Sequence, residues 1–316
     1  MDSSKQTPAT RKPVSSSETT TAEADQISGR QVSRTSRNGI LFLLITAVGV
    51  GVLHVKFDIF NSLAVQFLGP PQVELSEAYA NTETTHQFDH SILNNLLQQN
   101  VDADGWVDYS GINSSVGNLD AYLDLIAKAD MNTFGRDDRL AFLINAYNAF
   151  TLKLIVDNYP LESIKDIPAD QRWDAVRWNL AGQTVSLSQI EHELIRPNFA
   201  EPRIHFALVC AAIGCPPLLN EVYSGDRLEE QLSRQTSYVH QHATWFQFDS
   251  GSSDLKLTQL YNWYGGGFEQ SEGSVLAFVS QQVPELKQAI TSNGNPSIKW
   301  LTYDWKLNDV ANREVR

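Results

Sequence analysis

The chain is short of the residues from which compact reactive sites are usually built. It has two cysteines and seven histidines in 316 residues. Both cysteines fall in "RIHFALVCAAIGCPPLL", Arg203 to Leu219, with one histidine, and this set lacks the paired close spacing of a zinc ribbon. No Lys-Ser or Lys-Thr follows Gly265-Gly-Gly267, so the glycines are no phosphate loop, and neither a cofactor nor a metal is expected. There is no basic stripe either. Residues 1–38 hold six basic and four acidic groups, which leaves 18 basic and 33 acidic ones and a net charge of −15 for the rest. Such a surface repels phosphate backbones, and no nucleic acid is expected. No internal repeat appears, which excludes solenoids and propellers. Residues 1–38 have almost no large apolar side chains, so they cannot offset ordering entropy and are expected to be disordered.

One long apolar run does occur, "GILFLLITAVGVGVLHV", Gly39 to Val55. At 1.5 Å per residue its 17 residues reach about 26 Å, a short bilayer span that Phe57, Ile59 and Phe60 can lengthen. A buried core helix is the alternative, but the flanks are a polar tail and a Pro-containing linker. Arg30, Arg34 and Arg37 precede the run, whereas Lys56 and then Asp58 follow it, so the positive-inside rule places the N-terminus in the cytoplasm. The "AYA" of Ala78 to Ala80 lies too far downstream for a signal-peptide cleavage site, and an uncleaved anchor is expected. The expected organisation is a disordered cytoplasmic tail (1–38), a transmembrane anchor (39–60), a linker (61–85), an extracytoplasmic domain (86–309) and a short tail (310–316).

Within the domain, "FDHSILNNLLQQNV" and "SSVGNLDAYLDLIAKAD" repeat apolar residues at three and four, the period of amphipathic helices. "DDRLAFLINAYNAFTLKLIVDNYP" is apolar almost all round, which predicts a central buried helix stopped by Pro160. "VRWNLAGQTVSLS" and "TWFQFDSGSSDLKLT" predict hairpins, "RIHFALVC" a buried strand, "DRLEEQLSRQTSYVHQHA" and "SVLAFVSQQVP" helices, and "SIKWLTYDWKLND" a closing strand. The expected fold class is α+β, a helix-rich single domain with a small antiparallel sheet.

Four segments in this order, "LAFLINAYNAFTLKLIV", "SLSQIEHELIRP", "RIHFALVCAAIGCPPL" and "YDWKLN", are similar to a family catalogued as Domain of Unknown Function 547. The resemblance spans roughly Phe88 to Asn308. It implies a shared fold and four recurring features: Asn-Ala-Tyr-Asn at Asn145 to Asn148, the Glu191-His192 pair, the His205-Phe-Ala-Leu run and Cys215-Pro216. The family implies no activity, so chemistry is argued from the residues.

Asn145 and Asn148 lie at i and i+3 on an otherwise apolar helix. Buried amides need specific partners, so they either tie neighbouring loops to the helix or orient a catalytic imidazole. Ser188-Gln-Ile-Glu191 reads as a capping box, which would explain Glu191 structurally. His192 then sits on a first turn whose helix field keeps its ring neutral, available as a base or satisfied by backbone. Strand alternation sets His205 on the face opposite Cys210. Pro216 suits the first position of a helix, which would make Cys215 an N-cap whose thiol is acidified by the dipole. Three readings of the cysteines stand: a Cys210–Cys215 disulfide, a catalytic Cys215 served by His205 or His192, and a His/Cys metal clip. The expected function is thiol-dependent hydrolysis or acyl transfer on an amide or ester, with Cys215, His205, His192, Glu191, Asn145 and Asn148 as candidate catalytic residues. The alternative is a non-catalytic binding or scaffolding domain. The expected partners are the membrane, through residues 39–60, and a substrate or protein of unspecified class.

Overall fold

A computed structural model of the protein describes residues 72–82, 86–251 and 254–315. The expected anchor at residues 39–60 lies outside the described residues. Among the described helices, only Arg136–Asp157 is long and apolar enough to cross a membrane, and 89% of that window is buried inside the protein. It is the central helix that its all-round apolar pattern predicts. Asp137 and Asp138 occupy its first turn, where acids favour the helix dipole. Helices Ser91–Asn100 and Val116–Ile126 pack on one another, and the second packs on the central helix. Leu93, Leu96, Leu97, Leu119, Tyr122 and Ile126 are their buried positions, at the expected spacing of three and four.

The described strands are short and form two separate sheets, one of them with a parallel pair, which corrects the expectation of a single antiparallel sheet. β1 (Trp178–Leu180) pairs antiparallel with β2 (Gln183–Val185). Ala181 and Gly182 between them both have positive φ, 49° and 78°. Two left-handed residues are what a tight hairpin turn requires. The turn also closes the helix beside it: the amides of Ala181 and Gly182 donate to the carbonyls of Ile126 and Ala127 at 2.9 and 2.8 Å. The second sheet is mixed, with β3 (Phe246–Phe248) antiparallel and β5 (Ser297–Trp300) parallel to the middle strand β4 (Asp254–Leu257).

Two apolar clusters result. The larger surrounds the central helix. The smaller gathers Phe206, Trp245, Tyr261, Phe268 and Phe278 behind β4 and helices Leu228–Gln241, Gly265–Glu272 and Val275–Gln282. The segment 190–215 carries most of the candidate site residues, and it departs from expectation most. His205 is on a 3-10 helix, Pro202–Phe206, and not on a strand. The Glu201 side chain caps that turn by accepting from Arg203 N, and Pro202 suits its first position, so the local chemistry favours a turn over a strand. No helix starts at Pro216, so Cys215 is no N-cap. The loop there is pinned by the C-terminal segment instead: Ile213 N and Gly214 N each donate at 2.8 Å, to Lys306 O and Asp304 O. A Cβ on Gly214 would sit 2.8 Å from Asp304 N, so only glycine allows that approach.

Candidate functional site

Asn145 and Asn148 spend both ends of their amides on backbone. Asn145 donates to Tyr223 O at 2.8 Å and accepts from Tyr223 N at 2.9 Å. Asn148 donates to Ala207 O at 3.0 Å and accepts from Val209 N at 3.0 Å. Each holds a loop to the central helix, and neither orients an imidazole. The second pair matters for the site because it fixes residues 207–209, immediately before Cys210.

Glu191 and His192 come from a widened turn. The capping box is Ser186/Gln189, two residues earlier than expected: Gln189 N donates to Ser186 Oγ and Ser186 N to Gln189 Oε1, both at 3.0 Å. Ser188 bonds Asp174 instead, at 2.6 Å. Residues Ile190–Ile195 then run as a π-helix, closed by Arg196 N to Glu191 O at 2.9 Å. Such turns are uncommon and recur at functional sites. This one turns Glu191 inward, free of the capping duty that the expected box would have given it.

Glu191 is 7% exposed and lies between two imidazoles. Its Oε1 is 3.7 Å from His205 Nδ1 and 3.9 Å from His192 Nδ1, both too far for a hydrogen bond, and it has no hydrogen-bond partner among the described residues. The carboxylate is bonded by the Tyr264 side chain. The His205 ring stacks on Tyr264 with centroids 3.6 Å apart, and the Arg196 guanidinium lies 5.3 Å from the centre of the Tyr264 ring. Arg196 also reaches His192 Nδ1 at 2.9 Å, so that nitrogen accepts and the ring is neutral. Burial pushes both histidines below their ordinary value, His205 strongly. A pair of neutral imidazoles thus faces a buried carboxylate that is short of donors.

The sulfur pair forms the other end. Cys210 is half-buried and Cys215 is 5% exposed, and both are free thiols. Cys215 Sγ accepts from the Cys210 amide at 3.2 Å, and the two side chains hydrogen-bond each other. Cys210 Sγ is 3.0 Å from the Tyr303 hydroxyl. Hydrogen bonds from the Cys215 thiol, from Tyr303 and from the Ala212 amide hold the Cys210 thiol below its ordinary value against the opposing effect of burial. Cys215 is driven well upward, first by its bond to Cys210 and then by burial. The two residues after Cys210 make this possible. Ala211 is 1% exposed with φ of 60°, a left-handed conformation that costs a non-glycine residue about 1 kcal/mol or more. It turns the Ala212 amide back onto the sulfur. Neither His192 nor His205 is a partner of either sulfur.

Around Cys210 the surface is aromatic and locally cationic. Trp263, Tyr303 and Trp305 pack with centroids 4.7 to 6.0 Å apart, all half-buried. Lys165 Nζ sits 3.9 Å from the Trp305 ring; burial first and Arg172 second move its ammonium below the ordinary lysine value, and Cys210 opposes them. Tyr147, inside the Asn-Ala-Tyr-Asn motif, joins the two ends: burial raises its hydroxyl first, and Glu191, Tyr264, Cys210 and Cys215 all add to the effect. Sequence reasoning missed Tyr147, Tyr264 and Tyr303, since large aromatics are usually core. For Tyr147 the signal was available: it is the one polar residue of the motif whose role the two asparagines do not explain. Among the described residues no group of three or more His, Cys, Asp or Glu could hold a metal ion.

Residues 131–238 match the family described as "Protein of unknown function, DUF547". The match supports the resemblance read from the sequence, over a shorter span than 88–308. It includes the central helix, the π-turn and both cysteines, and ends before Tyr264 and Tyr303. No curated protein and no solved structure matches the chain.

Proposed function

We propose that the protein is a thiol-dependent hydrolase or acyltransferase acting on an amide or ester, with Cys210 as its nucleophile in place of Cys215. The observation that carries this reading is the asymmetry of the two sulfurs. Cys210 is the less buried of the two, beneath an aromatic surface, on a strained turn, with donors from Cys215, Tyr303 and Ala212 that favour its thiolate. In the proposed reaction the Cys210 thiolate adds to the acyl carbon and the amine or alcohol leaves with a proton from the Tyr303 hydroxyl. Water or an acceptor nucleophile then attacks the thioester, returns a proton to the Tyr303 oxygen, takes the acyl group and releases the Cys210 thiolate. Lys165 stabilises the thiolate and the anionic intermediate from the surface side. Glu191, His192 and His205 act as a positioning cluster: they hold Tyr264 and the π-turn and do not touch the reacting sulfur.

The reading keeps the anchor at residues 39–60 with the domain outside the cytoplasm. The apolar run and the three arginines before it support that topology. Protease added to intact cells after the outer barrier is opened should digest the domain and spare the tail; release of the domain by washing would overturn the anchor.

The chemical test is acyl trapping. The full-length chain in detergent, incubated with p-nitrophenyl acetate and digested, should carry an acetyl group on Cys210 that disappears with time, and Cys210→Ala should remove both adduct and turnover. An adduct confined to Cys215 or to surface lysines would overturn the assignment.

A further inference from the structure

Cys210 and Cys215 are more than a nucleophile and a neighbour. The Ala211 turn folds the chain so that Cys215 Sγ lies 3.2 Å from the Cys210 amide nitrogen and in hydrogen-bond contact with the Cys210 sulfur. Cys210 is a partly exposed residue and Cys215 a buried one. Asn148 clamps Ala207 and Val209, and Ala212 O accepts from Cys215 N at 3.0 Å, so both ends of this short loop are fixed. Acyl transfer asks only for a hydrogen-bond donor at that position, which need not be a second thiol.

We propose that the pair is a hydroperoxide-reactive couple in which Cys210 is oxidised first and the buried Cys215 resolves it into a reversible disulfide. In the first step the Cys210 thiolate attacks the outer oxygen of a hydroperoxide. The O–O bond breaks, sulfur loses two electrons, and the departing alkoxide or hydroxide takes a proton from the Tyr303 hydroxyl 3.0 Å away, which is restored from solvent. In the second step the Cys215 sulfur attacks the Cys210 sulfenic acid, the S–S bond forms, and the sulfenic oxygen leaves as water with the Cys215 proton. A dithiol reductant returns both thiols. While bridged, Cys210 has no thiolate to offer an acyl group, so oxidation and acyl transfer exclude each other at one sulfur. The inference does not depend on the acyl chemistry, because a thiol-poor binding domain with this pair would bridge in the same way.

The test reads mass and thiol content, not turnover. Reduced full-length protein is treated with one equivalent of hydrogen peroxide in the presence of dimedone, denatured, alkylated and digested with trypsin. Both cysteines fall in the peptide from Ile204 to Arg227. In the wild type this peptide should be lighter by about two hydrogen masses, free of dimedone and of alkyl groups, and restored by dithiothreitol. In Cys215→Ala the same treatment should leave dimedone on Cys210. In Cys210→Ala the peptide should keep one alkylatable thiol and no dimedone. A wild-type peptide bearing dimedone or sulfinic acid on Cys210 with Cys215 still alkylatable would overturn resolution, and dimedone on Cys215 would overturn the assigned order. The wild-type peptide decides this even if either variant does not fold.

Discussion

Asn145 and Asn148 on the central helix and Glu191 on the π-turn beside it are all buried, and the two regions treat these polar groups in opposite ways. Asn145 and Asn148 have each amide end matched to a backbone partner at 2.8 to 3.0 Å. Glu191, two loops away, has an oxygen with no donor and two imidazoles just beyond bonding distance. A fully matched buried group stabilises one structure, whereas a half-matched one stores unfavourable free energy that a fold keeps only where something else depends on it. The contrast separates scaffold from site within one short motif: the asparagines hold loops, and Tyr147 between them is influenced by both Glu191 and the cysteine pair.

The largest effect expected from this contrast is on stability. Asn145→Leu strands the buried Tyr223 amide and carbonyl together and should lower unfolding free energy by about 3 kcal/mol, since each orphaned group costs about 1–3 kcal/mol. Urea denaturation checks it. A change under about 0.5 kcal/mol would mean that Tyr223 finds other partners and the scaffold role is wrong. Glu191→Gln should behave differently, costing less than about 1 kcal/mol or even stabilising, because it removes a buried charge whose Oε1 has no donor to lose. If it costs as much as Asn145→Leu, the half-matched description fails.

The pH dependence should follow the buried histidines. Burial lowers His90 and His240 to about 4 and moves His192 and His205 down as well. A histidine held neutral in the fold but free to protonate when unfolded leaves stability intact above its unfolded pKa of about 6.5. Stability then falls as pH drops from about 6.5 towards 4, with a slope approaching about 1.4 kcal/mol per pH unit for each such ring. His240→Gln, which removes a ring bonded to Tyr261 and Thr236, should reduce that slope by one ring's share between pH 6 and 4.5, read from urea midpoints. An unchanged slope would contradict its neutral burial.

The smallest effect is the one nearest the sulfur. Tyr303→Phe removes one of the donors to Cys210 Sγ and should move its alkylation midpoint up by about one pH unit, with little change in melting temperature. No movement would show that Tyr303 does not bear on the thiol.

Much of the scaffold was readable in the sequence because it is locally determined. The central helix is apolar all round, and the Ala181-Gly182 hairpin has its turn residues in place. What failed was set from far away. Pro216 looks like a helix start, but Gly214 and Ile213 are bound by Asp304 and Lys306, about 90 residues later, and Trp245 Nε1 takes the Gly214 carbonyl at 2.8 Å. His205 looks like a strand residue by alternation, yet Glu201 and Pro202 make a 3-10 turn there. The six expected site residues lie on one segment and the helix under it, but no local pattern tells which cysteine is the less buried. That depends on the left-handed Ala211, a conformation that alanine does not advertise. Tyr264 and Tyr303 were invisible for a simpler reason: they lie far along the chain from the motif that holds Tyr147, and no local pattern relates them to it.

The central claim is that Cys210, and not Cys215, is the thiolate of this protein. The direct measurement is the rate of iodoacetamide alkylation at each cysteine of the reduced, native full-length chain from pH 5 to 10, read by mass on the Ile204 to Arg227 peptide. The account predicts that Cys210 reacts with a midpoint below the ordinary thiol value of about 8.5, while Cys215 stays unmodified until the protein unfolds. Cys215 reacting first, or both reacting together near the ordinary midpoint, would contradict it.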